Sequence, residues 1–337
     1  MSNSCLPLRP LAPEPASAAF EMPPVLRVAD GAPRRVGVEI EFMRLGAARA
    51  ARALATAFGG TVVEEDPHAF RVPGTALGGL AVELDLRHAH PQRHADTLPL
   101  RLGARGAVLL GRLLRPVVPC ELITEPLALH RLPEIDGLVA ALGRAGARAA
   151  GVLPVETPGL HFNVDVPRLD AATLATHLKA FLLLEPWLRR AGVGGRRGGA
   201  GRFPDDYLRL VVDPGYRPDL VRFADDYLAA NPSRNRGLDL LPVLLHIDEP
   251  RVRALLPHEK IGRRPAFHYR LARARIGEEG WSVAADWNRW VAVERLAADA
   301  SMLAGLGRAR LGFRGGEDDW GRQVEAAVTS SQACTAR

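Results

Sequence analysis

Four short segments of this chain alternate apolar residues with chemically active ones at a period of two: RVGVEIEF (35–42), LAVELDL (80–86), GLHFNVDV (159–166) and RPAFHYRL (264–271). A period of two belongs to β-strands, because successive side chains leave a strand on opposite faces. Val36, Val38, Ile40 and Phe42 therefore share one face of the first segment, and Gly37, Glu39 and Glu41 share the other. The second segment divides in the same way into Val82, Leu84 and Leu86 against Glu83 and Asp85. The third sets Phe162, Val164 and Val166 against His161, Asn163 and Asp165, and the fourth sets Phe267, Tyr269 and Leu271 against His268 and Arg270. A chain built this way is expected to form a sheet with one apolar face under helices and one polar face left open.

The segments between supply the helices. GAARAARALATAFGG reads as a helix of strong formers stopped by Gly59 and Gly60, with short strands following in TVVEE and FRV. Helical patterns continue through ADTLPLRLGARGAVLLGRLL, through LPEIDGLVAALGRAGA with Pro133 near its start, and through TLATHLKAFLLLEPWLRR, PDLVRFADDYLAANP and NRGLDLLPVLLHID. SVAADWNRWVAVERLAADASML closes the series with Ser282 placed to cap it. VVPCELITEPL adds a strand that carries Glu121. The order is α+β, with a Pro/Ala-rich disordered lead-in expected over 1–33, one catalytic domain over 34–320 and a flexible tail over 321–337. The Gly/Arg-rich stretch 191–203 matches no Walker-type phosphate loop and reads as a connector.

Composition excludes several classes. The net charge of +6 comes almost entirely from arginine, Lys179 and Lys260 being the only lysines, and only 6% of residues are aromatic. No basic run is interleaved with stacking rings, so no nucleic-acid partner is expected. No apolar run reaches membrane-spanning length, and the N-terminus lacks the charged start and apolar block of a secretory signal. Cys5, Cys120 and Cys334 are too scattered for a disulfide framework or a zinc knuckle. A cytoplasmic protein is expected.

If the strands share one sheet, its open face gathers Glu39, Glu41, Glu83, Asp85, Glu121, His161, Asn163, His268 and Arg270. Like charges on neighbouring strands repel by a few tenths to about 1 kcal/mol per close pair. Divalent cations are the natural counter-charge, and ligation mainly by oxygen suits Mg²⁺ or Mn²⁺, which bridge carboxylates to phosphate oxygens. Arginine on the last strand offers a fork for a phosphoryl group in transfer. Arg263 and Arg264, just before that strand, are also within reach of a phosphate. RHAHPQRH places His88, His90 and His94 at a His-x-His spacing, with no adjacent acid to complete a metal site.

GVEIEF, ELITEPL, GLHFNVDV and RRPAFHYRL with its downstream tryptophan together resemble the amidoligase family, within the carboxylate-amine ligase group that includes glutamine synthetase and γ-glutamylcysteine synthetase. The likeness runs from about Arg34 to about Leu306 and lies in the order of the motifs. It implies a curved antiparallel sheet of glutamine synthetase type with helices on its outer face and Mg²⁺ and ATP on its concave face. In that chemistry ATP phosphorylates a carboxylate and an amine then attacks the acyl phosphate. By this resemblance Glu39 and Glu41 are paired metal ligands and Glu83 and Glu121 are acids of the following strands; Asp85 and His268, on the same polar face, are taken with them as metal ligands, and Glu83 also as a catalytic acid. The resemblance also makes His161 a nucleotide-side histidine and Arg270 a phosphate-binding arginine; Asn163 and Arg264, by their positions beside these, are expected at the nucleotide, and Arg270 is expected to be catalytic as well. The chain departs from its relatives at His268, where a glutamate is usual, and at Asn163, where a second histidine is common. Two other readings of the same residues stay open: a metal-dependent hydrolase or phosphoesterase, and a ligand-binding protein without catalysis. Peptides, amino acids and polyamines all suit as carboxylate or amine.

Overall fold

The structure, a computed structural model, describes residues 19–86, 90, 104–114, 117–150, 158–193 and 200–335. Its strands are β1 (Arg35–Phe42), β2 (Val63–Asp66), β3 (Ala69–Thr75), β4 (Gly78–Leu84), β5 (Cys120–Thr124), β6 (Leu127–Ala128), β7 (Gly159–Asp165), β8 (Leu238–Asp239) and β9 (Ala266–Arg273). They form one antiparallel sheet, not closed into a barrel, in the order β2-β3-β4-β5-β1-β7-β9-β8, with β6 also beside β1. The four alternating segments thus become four strands of one sheet, as their period requires.

The apolar faces do what alternation predicts. Val36, Val38, Ile40 and Phe42 of β1 are fully buried, as are Phe162 and Val164 of β7 and Phe267 of β9. Helices cover this side: α1 (Ala47–Phe58) lies against β3 and β4, while α4 (Ala171–Val193) and α9 (Val283–Ala298) lie against β9. Trp287 meets Phe162 edge to face at 5.5 Å between ring centroids, and Trp290 packs on Phe267 and Tyr269 at 5.6 and 5.4 Å. These are attractive ring geometries, each contributing about 0.5–1.5 kcal/mol beyond the area buried. Ser282 caps α9 as expected, accepting the Ala284 amide at 3.0 Å.

Several boundaries differ from those the sequence suggests. NRGLDLLPVLLHID is not one helix: β8 comes first, and α7 (Leu241–Ile247) starts afresh at Pro242, whose missing N–H is harmless only in a first turn. The closing helix breaks at Asp299, whose carboxylate accepts the Met302 amide and opens α10 (Ala300–Gly312). Beyond the glycine-rich stretch, Asp205–Val212 is also helical. Where a flexible tail was expected from 321, the chain forms a helix over Glu317–Thr335 that packs on α4 through fully buried Trp320 and Val324. Residues 19–33, expected to be disordered, are tied to α9: Trp287 Nε1 donates to the Glu21 carbonyl at 2.7 Å, and the Glu21 amide donates to Asn288 Oδ1 at 2.9 Å. Aromatic and amide anchors hold these segments, and neither is visible in local propensity.

A buried ion pair fixes the start of β1 to α9. Arg34 donates to both oxygens of Glu294, at 2.7 and 2.8 Å, and to the carbonyls of Asp165 and Val25, while Trp290 Nε1 also donates to Glu294. Both side chains are at most 1% exposed. Removing one partner would strand the other charge in the core, so Arg34→Met should destabilise the fold by about 3–5 kcal/mol. Denaturant unfolding measures this; a loss below about 1 kcal/mol would show that the pair is not holding these elements together.

Candidate active site

The open face of the sheet carries its polar residues in cross-strand rows set by register. Glu83 of β4 stands opposite Glu121 of β5, which stands opposite Glu41 of β1. Two residues along β1, Glu39 stands opposite His161 of β7. Two further along, Gly37 faces Asn163, Asn163 faces His268 of β9, and His268 faces Asp239 of β8. An acidic row thus passes through a mixed centre into a row of amide, imidazole and buried carboxylate.

This face opens into a cleft of about 550 Å³ lined by Glu39, Glu41, Asp85, Glu121, His161 and His268 on one side. Arg270, with Arg234 and its neighbours in the loop before β8, and Glu259 complete the lining. Of the expected residues, Asn163 and Arg264 join the cluster through Glu39: Asn163 Nδ2 donates to Glu39 Oε1 at 2.7 Å, and Arg264 Nη2 lies 3.7 Å from the same oxygen. Glu83 stays on this face but outside the lining of the cleft, one strand beyond Glu121. Arg263 turns to surface Glu249 at 3.4 Å, so the adjacent arginines have separate roles. His90 lies apart, buried, with its ring nitrogens 2.8 Å from Asp66 Oδ2 and from the Leu84 carbonyl; His88 and His94 fall outside the described residues.

Local structure explains the crowding. Between Leu160–Ala272 and Phe162–Tyr269 the register of β7 and β9 shifts, so Arg270 and Leu271 together oppose His161 alone. Such a bulge re-aims a side chain, here Arg270, whose Nη1 donates to the Arg234 carbonyl at 2.7 Å. Gly159 opens β7 beside the carboxylates. Its amide donates to Glu41 Oε2 at 2.7 Å, and a Cβ added there would stand 2.7 Å from His161 Nε2. Only glycine leaves that space free.

Electrostatics divides the acids. Burial pushes the Glu39 carboxyl up, but the His161 hydrogen bond at 3.1 Å and the nearby His268 outweigh it and hold the group well below the ordinary carboxylate range. Glu121 goes the other way: burial, and then the charges of Glu39, Asp85, Glu41 and Glu83, push it well above that range. Burial also pushes Glu83 up, aided by Asp85 and Asp66 against His90 and Arg71. At the arginine end, burial draws Arg264 below its ordinary value.

Buried polar atoms without hydrogen-bond partners converge on the same place. Among the described residues they include both ring nitrogens of His268, Asn163 Oδ1, Asp239 Oδ2 and the Nε atoms of Arg234, Arg264 and Arg270. Orphaned acceptors gather beside carboxylates and orphaned donors among guanidiniums, a division that fits a divalent cation at one end and an anion at the other. Two donor sets bring their atoms within 4.8 Å of one another: Glu39, His161 and His268, and Glu41, Glu121 and His161.

Sequence reasoning missed Asp239 and Arg234. Asp239 is fully buried, and its Oδ2 lies 3.6 Å from both His268 Nδ1 and Arg234 Nε. A signal was present in Leu238-Asp239-Leu240, the same alternation shrunk to three residues, ahead of a proline that bars a helix from running through it.

The site thus sits on an open antiparallel sheet with helices on one face and a cleft of acids, histidines and arginines on the other. The chain belongs to the amidoligase family: the family model described as "Putative amidoligase enzyme" matches residues 32–292, which takes in every site residue named above. No curated protein and no solved structure matches the chain. Among the described residues no helix is long and apolar enough to cross a membrane.

The Glu121 shift has a testable sign. A carboxyl whose folded pKa is raised keeps its proton while the unfolded chain loses it, so stability falls as pH rises from about 4.3 through the folded value. Glu121→Gln removes that loss. In metal-free buffer it should melt above the parent at pH 8, the gain disappearing near pH 4; an equal or lower melting temperature at pH 8 would contradict the crowding of charge around Glu121.

Proposed function

We propose that this cleft is the active site of an ATP-dependent carboxylate-amine ligase, forming an amide or peptide-type bond through an acyl phosphate. The observation that carries the reading is the division of one cleft into a carboxylate-imidazole end and an arginine end on a single sheet face, in a chain of the amidoligase family. The glutamine synthetase-like fold belongs to the same proposal, supported by an open antiparallel sheet whose helices cover the face opposite the acids.

Glu39, Glu41, Glu121, His161 and His268 would hold Mg²⁺ or Mn²⁺, with Asp85 at the edge of the cleft. When bound, such cations neutralise phosphate oxygens and so lower the barrier to transfer of a phosphoryl group. Arg270, anchored by the Arg234 carbonyl, and Arg264, beside Glu39, would grip the transferring group and the acyl phosphate oxygens. A substrate carboxylate enters between the two ends, where both charges act on it. The incoming amine, cationic in water, is drawn by Asp85 and Glu259 on the lining. Burial, and then the charges of Glu39, Asp85, Glu41 and lastly Glu83, raise the proton affinity of Glu121.

Phosphate release from ATP tests the reading in mixtures of amino acid, peptide and polyamine substrates. Release should require a carboxylate, an amine and a divalent cation together, and the product should carry a new amide. Release needing only water would instead select a phosphohydrolase, and absence of any nucleotide binding would leave a ligand-binding protein. Glu39→Gln should abolish metal-dependent nucleotide binding while preserving the fold, because the amide keeps shape but loses charge. Arg270→Lys should bind Mg·ATP within about tenfold of the parent yet lose on the order of a hundredfold in turnover, since an ammonium lacks the fork that meets two oxygens. Full turnover in Arg270→Lys would transfer that role to Arg264.

A further inference from the structure

The two donor sets on the acidic side are chemically unequal. Glu41 and Glu121 offer oxygen, whereas Glu39 is joined by two imidazoles, His161 and His268. A neutral imidazole has a single lone pair for a cation, so His161 can complete only one set at a time. Its Nδ1 stands 3.1 Å from Glu39 Oε2, and His268 Nε2 stands 3.6 Å from the same oxygen. Donors bonded to one cation at about 2.1 Å, at octahedral or tetrahedral angles, lie about 3.0–3.4 Å apart, so these separations need only slight closure.

His268 supplies the independent observation. Its side chain is 2% exposed, and neither ring nitrogen has a hydrogen-bond partner. Nδ1 faces Asp239 Oδ2 at 3.6 Å, with Asp239 itself fully buried. With its proton on Nδ1, on the Asp239 side, the ring would present the Nε2 lone pair on the Glu39 side. Carboxylates set behind ligating histidines in this manner fix the tautomer and raise the basicity of the ligand. Two imidazoles and one carboxylate suit first-row transition metals, whereas Mg²⁺ takes oxygen and gives up its water reluctantly.

We propose that Glu39, His161 and His268 form a site for a first-row transition-metal dication, preferring Mn²⁺ to Mg²⁺, in which Asp239 is the positioning residue for His268. The catalytic meaning of the site rests on the ligase reading, but its ligand chemistry does not. The ligase would then work with two unlike cations, a nitrogen-ligated one beside Glu39 and an oxygen-ligated one beside Glu41 and Glu121.

The test uses the full chain stripped of metal and titrated with Mn²⁺ alone, read by pulsed electron paramagnetic resonance and by calorimetry, with no substrate present. The parent should show ¹⁴N couplings from two imidazoles, and His268→Gln should show those of one. ¹⁵N-histidine labelling of the parent should change the same couplings without any substitution, which keeps the proposal open to refutation if His268→Gln does not fold. Asp239→Asn should keep the nitrogen couplings but lower Mn²⁺ affinity ten- to a hundredfold. His268→Glu should narrow the preference for Mn²⁺ over Mg²⁺ by at least tenfold. Mn²⁺ bound without nitrogen coupling, couplings identical in parent and His268→Gln, or equal competition by Mg²⁺ would overturn it. Nitrogen-ligated Mn²⁺ in a protein that forms no amide would retain this site and discard the ligase, whereas amide formation on oxygen-ligated metal would do the reverse.

Discussion

Carboxylates cannot share a half-buried cleft without counter-charge, and the architecture around this site follows from that constraint. Glu39, Glu41 and Glu121 lie in adjoining rows of one sheet face, and burial raises the cost of ionising Glu39 and Glu121. Two imidazoles hold the Glu39 carboxyl below the ordinary carboxylate range, while burial and then the like charges around Glu121 push that carboxyl above it. The two acids are therefore shifted in opposite directions by their surroundings. Under the proposed reading, a cation bound here relieves the repulsion among these carboxylates.

Holding that repulsion requires a rigid frame, and the opposite face supplies it. The same β1 residues that alternate with the glutamates are fully buried, and the aromatic cluster of Phe162, Phe267, Tyr269, Trp287 and Trp290 locks β7 and β9 against α9. The Arg34–Glu294 pair ties the first residues of β1 to that helix. A one-residue slip of β1 would send its glutamates into the aromatic core and its valines into the cleft. The energy of the core thus fixes the register, and the register fixes which charged groups meet.

Much of this was legible in the sequence because alternation is a local code. Glu39, Glu41, Glu121, His161 and His268 could be assigned to one face before any strand pairing was known, since each lies in a segment of clear period two. Asp239 could not, because its strand has only two residues and its apolar neighbours continue into a helix. Arg234 lies in a loop, where no periodicity exists to place it, and enters the site through the Arg270 hydrogen bond and the pairing of β8. The bulge that aims Arg270 depends on the partner strand and is invisible in β9 alone. His90 shows the converse: its His-x-His spacing has no acid nearby in sequence, yet tertiary structure brings Asp66 and the Leu84 carbonyl to 2.8 Å from its two ring nitrogens.

The central claim of the proposed reading is that the acidic face takes up a divalent cation in exchange for protons, Glu121 being the carboxyl whose proton affinity is raised. Calorimetric titration of Mn²⁺ into the metal-free protein at pH 7, repeated in buffers of different ionisation enthalpy, measures that exchange directly. The account predicts that the apparent heat varies with buffer in the sense of proton release, and that Glu121→Gln releases fewer protons on binding. A heat independent of buffer, or an unchanged release in Glu121→Gln, would contradict it.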